Sequence, residues 1–195
     1  MSAKERRRLL VFFGLTGSGK SFLAGQWAKK RGFAYFNTDI VRKQLAGLPP
    51  TQKCRDGLDR GIYSHEFSRK TYDALLDRAS SALQGNSRTV IVDGSFHLQN
   101  ERQRVIDIFS AEYQVLFIYC FCADKVTRQR LEARLAESDT VSDGRLEVYT
   151  GQLHTFEWPT EISADQLLEL DTDAPLEYLI DRLERFVTSA HSAKR

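Results

Sequence analysis

Apolar residues along the chain gather into five runs of strand length, at 9–13 (LLVFF), 33–36 (FAYF), 89–93 (TVIVD), 115–122 (VLFIYCFC) and 167–170 (LLEL). The runs are continuous rather than alternating, which predicts strands buried on both faces. Segments with helical spacing of apolar positions fill the intervals, at 20–30, 39–46, 64–84, 99–111, 124–136, 143–156 and 175–188. Strand and helix alternate throughout, so the pattern predicts a parallel sheet covered by helices. Asp39, Ser64, Asp124, Ser142 and Asp173 are placed to cap the helices that follow them, while GLPP at 47–50 and QGNS at 84–87 stop the helices before them.

A chain of 195 residues with 42% hydrophobic and 28% charged residues can bury a core of its own, and no linker, repeat or composition shift divides it. One domain over 1–195 is expected, with a helical lid around 124–145. The net charge of +2 demands no polyanionic partner, so nucleic acid enters only as a candidate substrate, and nothing in the pattern sets an oligomeric state. Cys54, Cys120 and Cys122 are an odd number and read as reduced core residues. The opening MSAKERRRLLVFFGL imitates a secretion leader, but its apolar stretch is short and runs into a glycine loop, so it reads as a strand of a cytoplasmic protein. No run approaches the ~20 apolar residues of a membrane span.

The segment GLTGSGKS, Gly14 to Ser21, satisfies G-x-x-x-x-G-K-[ST], follows an apolar strand and opens a helix. Gly14, Gly17 and Gly19 let the backbone turn so that amide N–H groups face phosphates, helped by the positive end of the helix. Thr16, Ser18 and the following Phe22 join the nucleotide contacts. Lys20 is expected to reach the β and γ phosphates, and Ser21 to hold magnesium. ATP and Mg2+ are thus the expected cofactors. The base-reading N-K-x-D motif of Ras-type GTPases is absent.

Asp39 and Arg42 in NTDIVRK lie three residues apart after the second apolar run. Alone they read as a helix cap and a solvated cation. Beside a phosphate loop, at the carboxyl end of a parallel strand, they read as a general base for an attacking hydroxyl and a contact for the acceptor or phosphate. Asp93 ends the third run and is placed to hold a magnesium-bound water, or to form a turn with Gly94. Arg128, Arg130 and Arg134 lie in DKVTRQRLEARLAESD, the last two four apart on one helical face, either as a lid over the transferring phosphate or as solvated partners of Glu132 and Glu137. Arg55, Arg60 and Tyr63 could meet an anionic acceptor. Four histidines without ligand spacing, His65 and His97 among them, suggest no zinc. Trp27, Phe33, Tyr35 and Phe36 read as core aromatics.

Together, GLTGSGKS, NTDIVRK, VIVDGSF, RQRLEAR and LELDTDAP resemble the bacterial predicted-kinase family of P-loop proteins over nearly the whole chain. Wider relatives that it resembles include phage polynucleotide kinase, zeta toxins, chloramphenicol phosphotransferase and gluconate kinase. The resemblance implies a P-loop NTPase fold, a three-layer α/β sandwich of the nucleoside-monophosphate-kinase type with a five-stranded parallel sheet in the order 2-3-1-4-5. It further implies Asp39 as base, Arg42 as acceptor or phosphate contact, Lys20 and Ser21 at the triphosphate, Arg130 and Arg134 as lid, and Asp171 and Thr172 near the adenine. The expected reaction is phosphoryl transfer from ATP to a hydroxyl of a small molecule or a nucleic acid 5′ end. An ATP-binding switch and a nucleotide-sugar kinase of the zeta-toxin type are the alternatives.

Overall fold

In a computed structural model, which describes residues 6–50, 52, 61–136 and 146–192, each apolar run becomes a strand: β1 (Arg8–Phe13), β2 (Ala34–Asn37), β3 (Thr89–Asp93), β4 (Gln114–Phe121) and β5 (Leu167–Asp171). They form one sheet in the order β2-β3-β1-β4-β5, every neighbouring pair parallel. The helices are α1 (Lys20–Arg31), α2 (Thr38–Leu45), α3 (His65–Gln84), α4 (Gln99–Phe109), α5 (Asp124–Ala136), α6 (Leu146–Thr155) and α7 (Leu176–Ser192), with a 3-10 turn at Gly61–Tyr63. The helix expected over 143–156 is thus described from Leu146 onward. Among the described residues no helix is long and apolar enough to cross a membrane.

The continuous apolarity of the strands follows from two cores. Leu9, Val11 and Phe13 of β1, with Val90, Val92, Val115 and Phe117, pack against Leu75, Ala79 and Leu83 of α3 and Val105 and Phe109 of α4. The alternate residues Leu10, Phe12, Ile91, Leu116, Ile118 and Cys120 face Leu23 and Trp27 of α1 and Leu179 and Leu183 of α7. Burying each such side chain stabilises the fold by about 1.5–3 kcal/mol. Helices therefore cover both faces of the sheet, and Trp27, expected in the core, is fully buried and donates to Glu184 Oε1 at 2.8 Å.

Three local expectations are corrected. Asn37, not Asp39, caps α2: its Oδ1 accepts from the N–H groups of Asp39 (2.9 Å) and Ile40 (3.2 Å), because the helix starts one residue earlier and the last strand residue already has the extended backbone of a cap. Asp173 does not stand at the cap of α7, which begins at Leu176: its N–H donates to Asp171 Oδ1 at 3.0 Å in a turn, and its carboxylate lies 3.7 Å from Arg130 Nη2. Cys122 lies past the end of β4 and hydrogen-bonds Thr127 Oγ1 at 3.1 Å, leaving Cys120 in the core. Ser64 does cap α3, accepting from Phe67 N–H at 3.3 Å. Cys54, Ser142 and Glu137 lie outside the described residues.

α4 is held at its start by charge. Arg102 is fully buried and pairs with Glu161, its Nη1 donates to Phe96 O and its Nη2 to Glu157 O, both at 2.8 Å, and its guanidinium lies 5.5 Å from the centre of the Phe13 ring. One residue earlier, Glu101 Oε2 accepts from Leu98 N–H at 3.4 Å. Burial pushes the Glu101 carboxyl up to about 7, against the pull of that N–H and of the Arg102 and Arg42 charges. Its folded value is thus above its unfolded one, so the folded state binds the extra proton and loses stability as pH rises from the ordinary carboxylate range through about 7. Glu101→Gln is therefore expected to melt several degrees above the parent near pH ~8 and together with it near pH ~4, as read by thermal denaturation at both. A gap independent of pH would contradict the assignment.

Candidate active site

The carboxyl ends of β1, β2 and β3 converge on the loop between β1 and α1, residues 14–19. Gly14 has φ +142°, and a Cβ there would lie 2.1 Å from the Cys120 carbonyl oxygen of β4. Gly17 has φ +84°, and its Cβ would sit 2.8 Å from Thr127 and 3.1 Å from Leu131 of α5. The loop can therefore be built only with glycine at these positions. Gly19 caps α1 in the left-handed conformation without a side-chain bond, and no acidic residue occupies the first turn, so the amides at this helix start are arranged for an anion. Lys20 Nζ reaches across the loop to Leu15 O at 3.3 Å.

Asn37 links the loop to the next strand. Its Nδ2 donates to Asp93 Oδ2 at 2.5 Å and lies 3.5 Å from Ser21 Oγ, while its Oδ1 caps α2. Tyr35 hydroxyl donates to the same Asp93 oxygen at 2.7 Å. Burial and the Asp93 charge push that phenol well above its usual range, so it stays a donor. Asp93 Oδ1 is buried with no hydrogen-bond partner among the described residues. A buried carboxylate oxygen left open, with a serine hydroxyl one amide away, fits a small hard cation that keeps its waters, as magnesium does.

Lys20, Ser21, Asp39, Arg42, Tyr63, Tyr72, Ser95, Arg134 and Gln152 line one cleft with Thr16, Gly17 and Gly19. Asp39 and Arg42 thus open onto the same space as the phosphate loop. Arg42 is buried: its Nη1 donates to Ile62 O (2.7 Å) and Ser68 Oγ (3.1 Å), its guanidinium lies 5.1 Å from the centre of the Tyr63 ring, and its Nε has no partner among the described residues. Among the described residues no carboxylate lies within ion-pair distance of it. A desolvated cation held by neutral groups favours an anion beside it.

On the other side of the loop, Gly19, Phe22, Leu23, Arg130, Arg134, Thr172, Ala174, Leu176 and Leu179 form a second, more apolar hollow. Phe22 is 59% exposed there, a flat face open to a planar ring. Thr172 Oγ1 donates to Ser18 O at 2.5 Å and accepts from Arg130 Nη1 at 3.0 Å, while Arg130 Nη2 donates to Thr172 O at 2.9 Å. Arg130 is thus anchored beside Gly19, and Arg134, one turn on, borders both hollows. Asp171 does not line this hollow; its side chain is spent on the turn to Asp173. Arg128 pairs with Asp124 at 2.8 Å and leans over Tyr149, away from the loop. Arg55 and Arg60 lie outside the described residues.

Several residues of the cleft carry no sequence motif. Tyr72 hydroxyl meets Ser95 Oγ at 3.0 Å and accepts from Phe96 N–H at 3.2 Å, and Ser95 Oγ lies 3.2 Å from His97 Nδ1, so His97 stands just behind the cleft wall. Burial, with the Arg102 charge, lowers the His97 pKa and keeps the ring neutral. Ser95 O accepts from Gly14 N–H at 3.1 Å, locking the end of β3 to the loop. Gln152 arrives from α6, more than a hundred residues away in sequence. Ser95 could have been suspected as the neighbour of Asp93; Tyr72 and Gln152 lie on helices whose pattern marks only their apolar face.

The AAA domain family model (AAA_33) matches residues 9–159. Among solved structures, a gluconokinase from Sinorhizobium meliloti 1021 superposes with a TM-score of 0.65 at 18% identity, over 97% of each chain. A sugar kinase from Janibacter sp. HTCC2649 superposes at 0.66 and 19% identity, over 96% of this chain and 97% of that one. Shikimate kinase from Acinetobacter baumannii, in complex with shikimate, superposes at 0.62 and 12% identity, over 98% and 97%. No curated protein matched the chain. With a family match over most of its length, a parallel five-stranded sheet in the order β2-β3-β1-β4-β5 and superposition on these kinases over nearly the whole chain, the chain belongs to the AAA domain family and has the P-loop kinase fold.

Proposed function

We propose that this protein transfers the γ-phosphoryl group of ATP to a hydroxyl of a small-molecule acceptor, with Asp39 as general base. The observation that carries the reading is the sharing of one cleft by Lys20 and Ser21 of the phosphate loop with Asp39 and Arg42 of α2. The acceptor hydroxyl gives its proton to the Asp39 carboxylate and its oxygen forms the new bond to the γ-phosphorus. The bond from that phosphorus to the β,γ-bridging oxygen breaks, and ADP leaves with the electron pair. Lys20 and the loop amides hold the phosphates, Arg42 holds the acceptor or its anionic group, and Phe22 and Thr172 border the hollow for the adenine. Ser21 and, through water, Asp93 would hold magnesium, which when bound offsets charge on the β and γ phosphates.

A gluconokinase, a sugar kinase and a shikimate kinase among the structural neighbours favour a small hydroxylated acceptor over a nucleic acid end. The test is ADP release from magnesium ATP across sugars, sugar acids, antibiotics, nucleosides, nucleotide sugars and 5′-hydroxyl oligonucleotides, with Lys20→Ala alongside. One acceptor class should raise turnover well above the acceptor-free rate, and Lys20→Ala should lower that turnover by two or more powers of ten, about 10²-fold or beyond. Turnover flat across the panel would leave the switch reading in its place.

A further inference from the structure

Gln152 of α6 is joined to the phosphate loop by one hydrogen bond. Thr16 N–H donates to its Oε1 at 2.8 Å, across a separation of 136 residues. A backbone N–H can only donate, so this bond settles which branch of the carboxamide is the oxygen. The other branch, Nε2, carries two donors and has no hydrogen-bond acceptor among the described residues. Gln152 is half-buried and lines the same cleft as Lys20, Ser21 and Asp39. Its oxygen is polarised by the loop amide, which strengthens the donors on its nitrogen.

We propose that Gln152 Nε2 donates to the γ-phosphoryl group of the nucleotide, making α6 part of the catalytic machinery. The inference rests on the transfer reaction proposed above. As that phosphoryl group moves, charge spreads over its three outer oxygens, and a donor held in the cleft beforehand needs little reorganisation to meet them. Gln152 keeps both protons throughout; it stabilises charge and takes no part in proton transfer. Arg134 brings a full charge to the same cleft, and Gln152 adds direction without adding charge.

The rival role is a tether that merely fixes α6 to the loop. A tether acts on any nucleotide alike, whereas a γ-phosphate donor distinguishes nucleotides that have that group from those that lack it. The experiment is calorimetric titration of the full chain with magnesium ADP and with magnesium AMP-PNP, for the parent, Gln152→Met and Gln152→Glu. ADP affinity should stay within about twofold in both variants, while AMP-PNP affinity falls about tenfold in Gln152→Met, the worth of one hydrogen bond to a charged group. It should fall further in Gln152→Glu, where a carboxylate faces the γ-phosphate. Gln152→Glu keeps an acceptor for Thr16 N–H, so it remains informative should the methionine variant fold poorly. Equal losses for both nucleotides, or none for either, overturn the proposal. The nucleotide comparison stands even if no acceptor is found, which separates the failure of this inference from failure of the transfer reading. With an acceptor in hand, kcat should fall about 10²-fold in Gln152→Met with the acceptor KM unchanged.

Discussion

In Asp39→Ala, acceptor-dependent ADP release is expected to fall about 10³-fold, with the affinity for magnesium ATP within about threefold of the parent. The two quantities separate because Asp39 sits on α2, across the cleft from the loop that holds the phosphates, and its proposed work begins only when a hydroxyl must lose its proton. The fold should tolerate the change. Asn37 supplies the cap of α2 through the Asp39 N–H, which alanine retains, so the start of the helix is kept. Asp39→Asn should be as inactive as alanine, since an amide fills the same space but cannot take the proton. Steady-state turnover with the acceptor found by the panel, beside titration calorimetry with a non-hydrolysable ATP analogue, reads both terms. An unchanged acceptor-dependent rate in either variant would sink the assignment of the base.

The largest effect on stability is expected at Arg102. Its guanidinium is fully buried, paired with Glu161 and bonded to two backbone carbonyls, Phe96 O and Glu157 O. Arg102→Ala leaves the nearly buried Glu161 carboxylate without a counter-charge and two carbonyls without donors, together with a cavity beside Phe13. Removing one member of a buried pair costs about 3–5 kcal/mol. At ~2–4 °C per kcal/mol for a chain of this length, Tm should drop by about 6–20 °C. The paired replacement Arg102→Met with Glu161→Leu should recover most of that loss, because it removes both charges and fills the space. A double variant no more stable than Arg102→Ala would show that the carbonyl bonds, not the stranded carboxylate, dominate. Glu157 N–H donates to His97 O at 2.9 Å, so loosening this corner also loosens the wall behind Ser95.

The strands and the phosphate loop were legible because each rests on local pattern. LLVFF and TVIVD are apolar at consecutive positions, and the two cores that take alternate residues explain why. The order of the strands is a matter of pairing between distant segments, which apolar patterning does not encode; it came from the family resemblance and agrees with the sheet observed. The capping of α2 was misread because Asn37 and Asp39 are both good caps two residues apart, and only the extended backbone of Asn37 decides between them. Arg42 was legible as a candidate contact but not as a buried cation, since its burial depends on the segment 61–68 folding over it. Gln152 was not legible at all: its place depends on α6 lying across Thr16, and no neighbour in sequence hints at that contact.

The steric closeness around Gly14 and Gly17 bears on how such chains can drift in evolution. A methyl group at Gly14 would strike a main-chain oxygen of β4, and Gly17 holds φ +84° with side chains of α5 where a methyl group would go, so the scaffold itself restricts both positions whether or not phosphate is ever bound. A descendant that abandoned nucleotide chemistry would still have to keep these two glycines, while Lys20 and Ser21 would be released to vary. Gly14 and Gly17 thus report on the scaffold, and Lys20 and Ser21 on the proposed nucleotide chemistry.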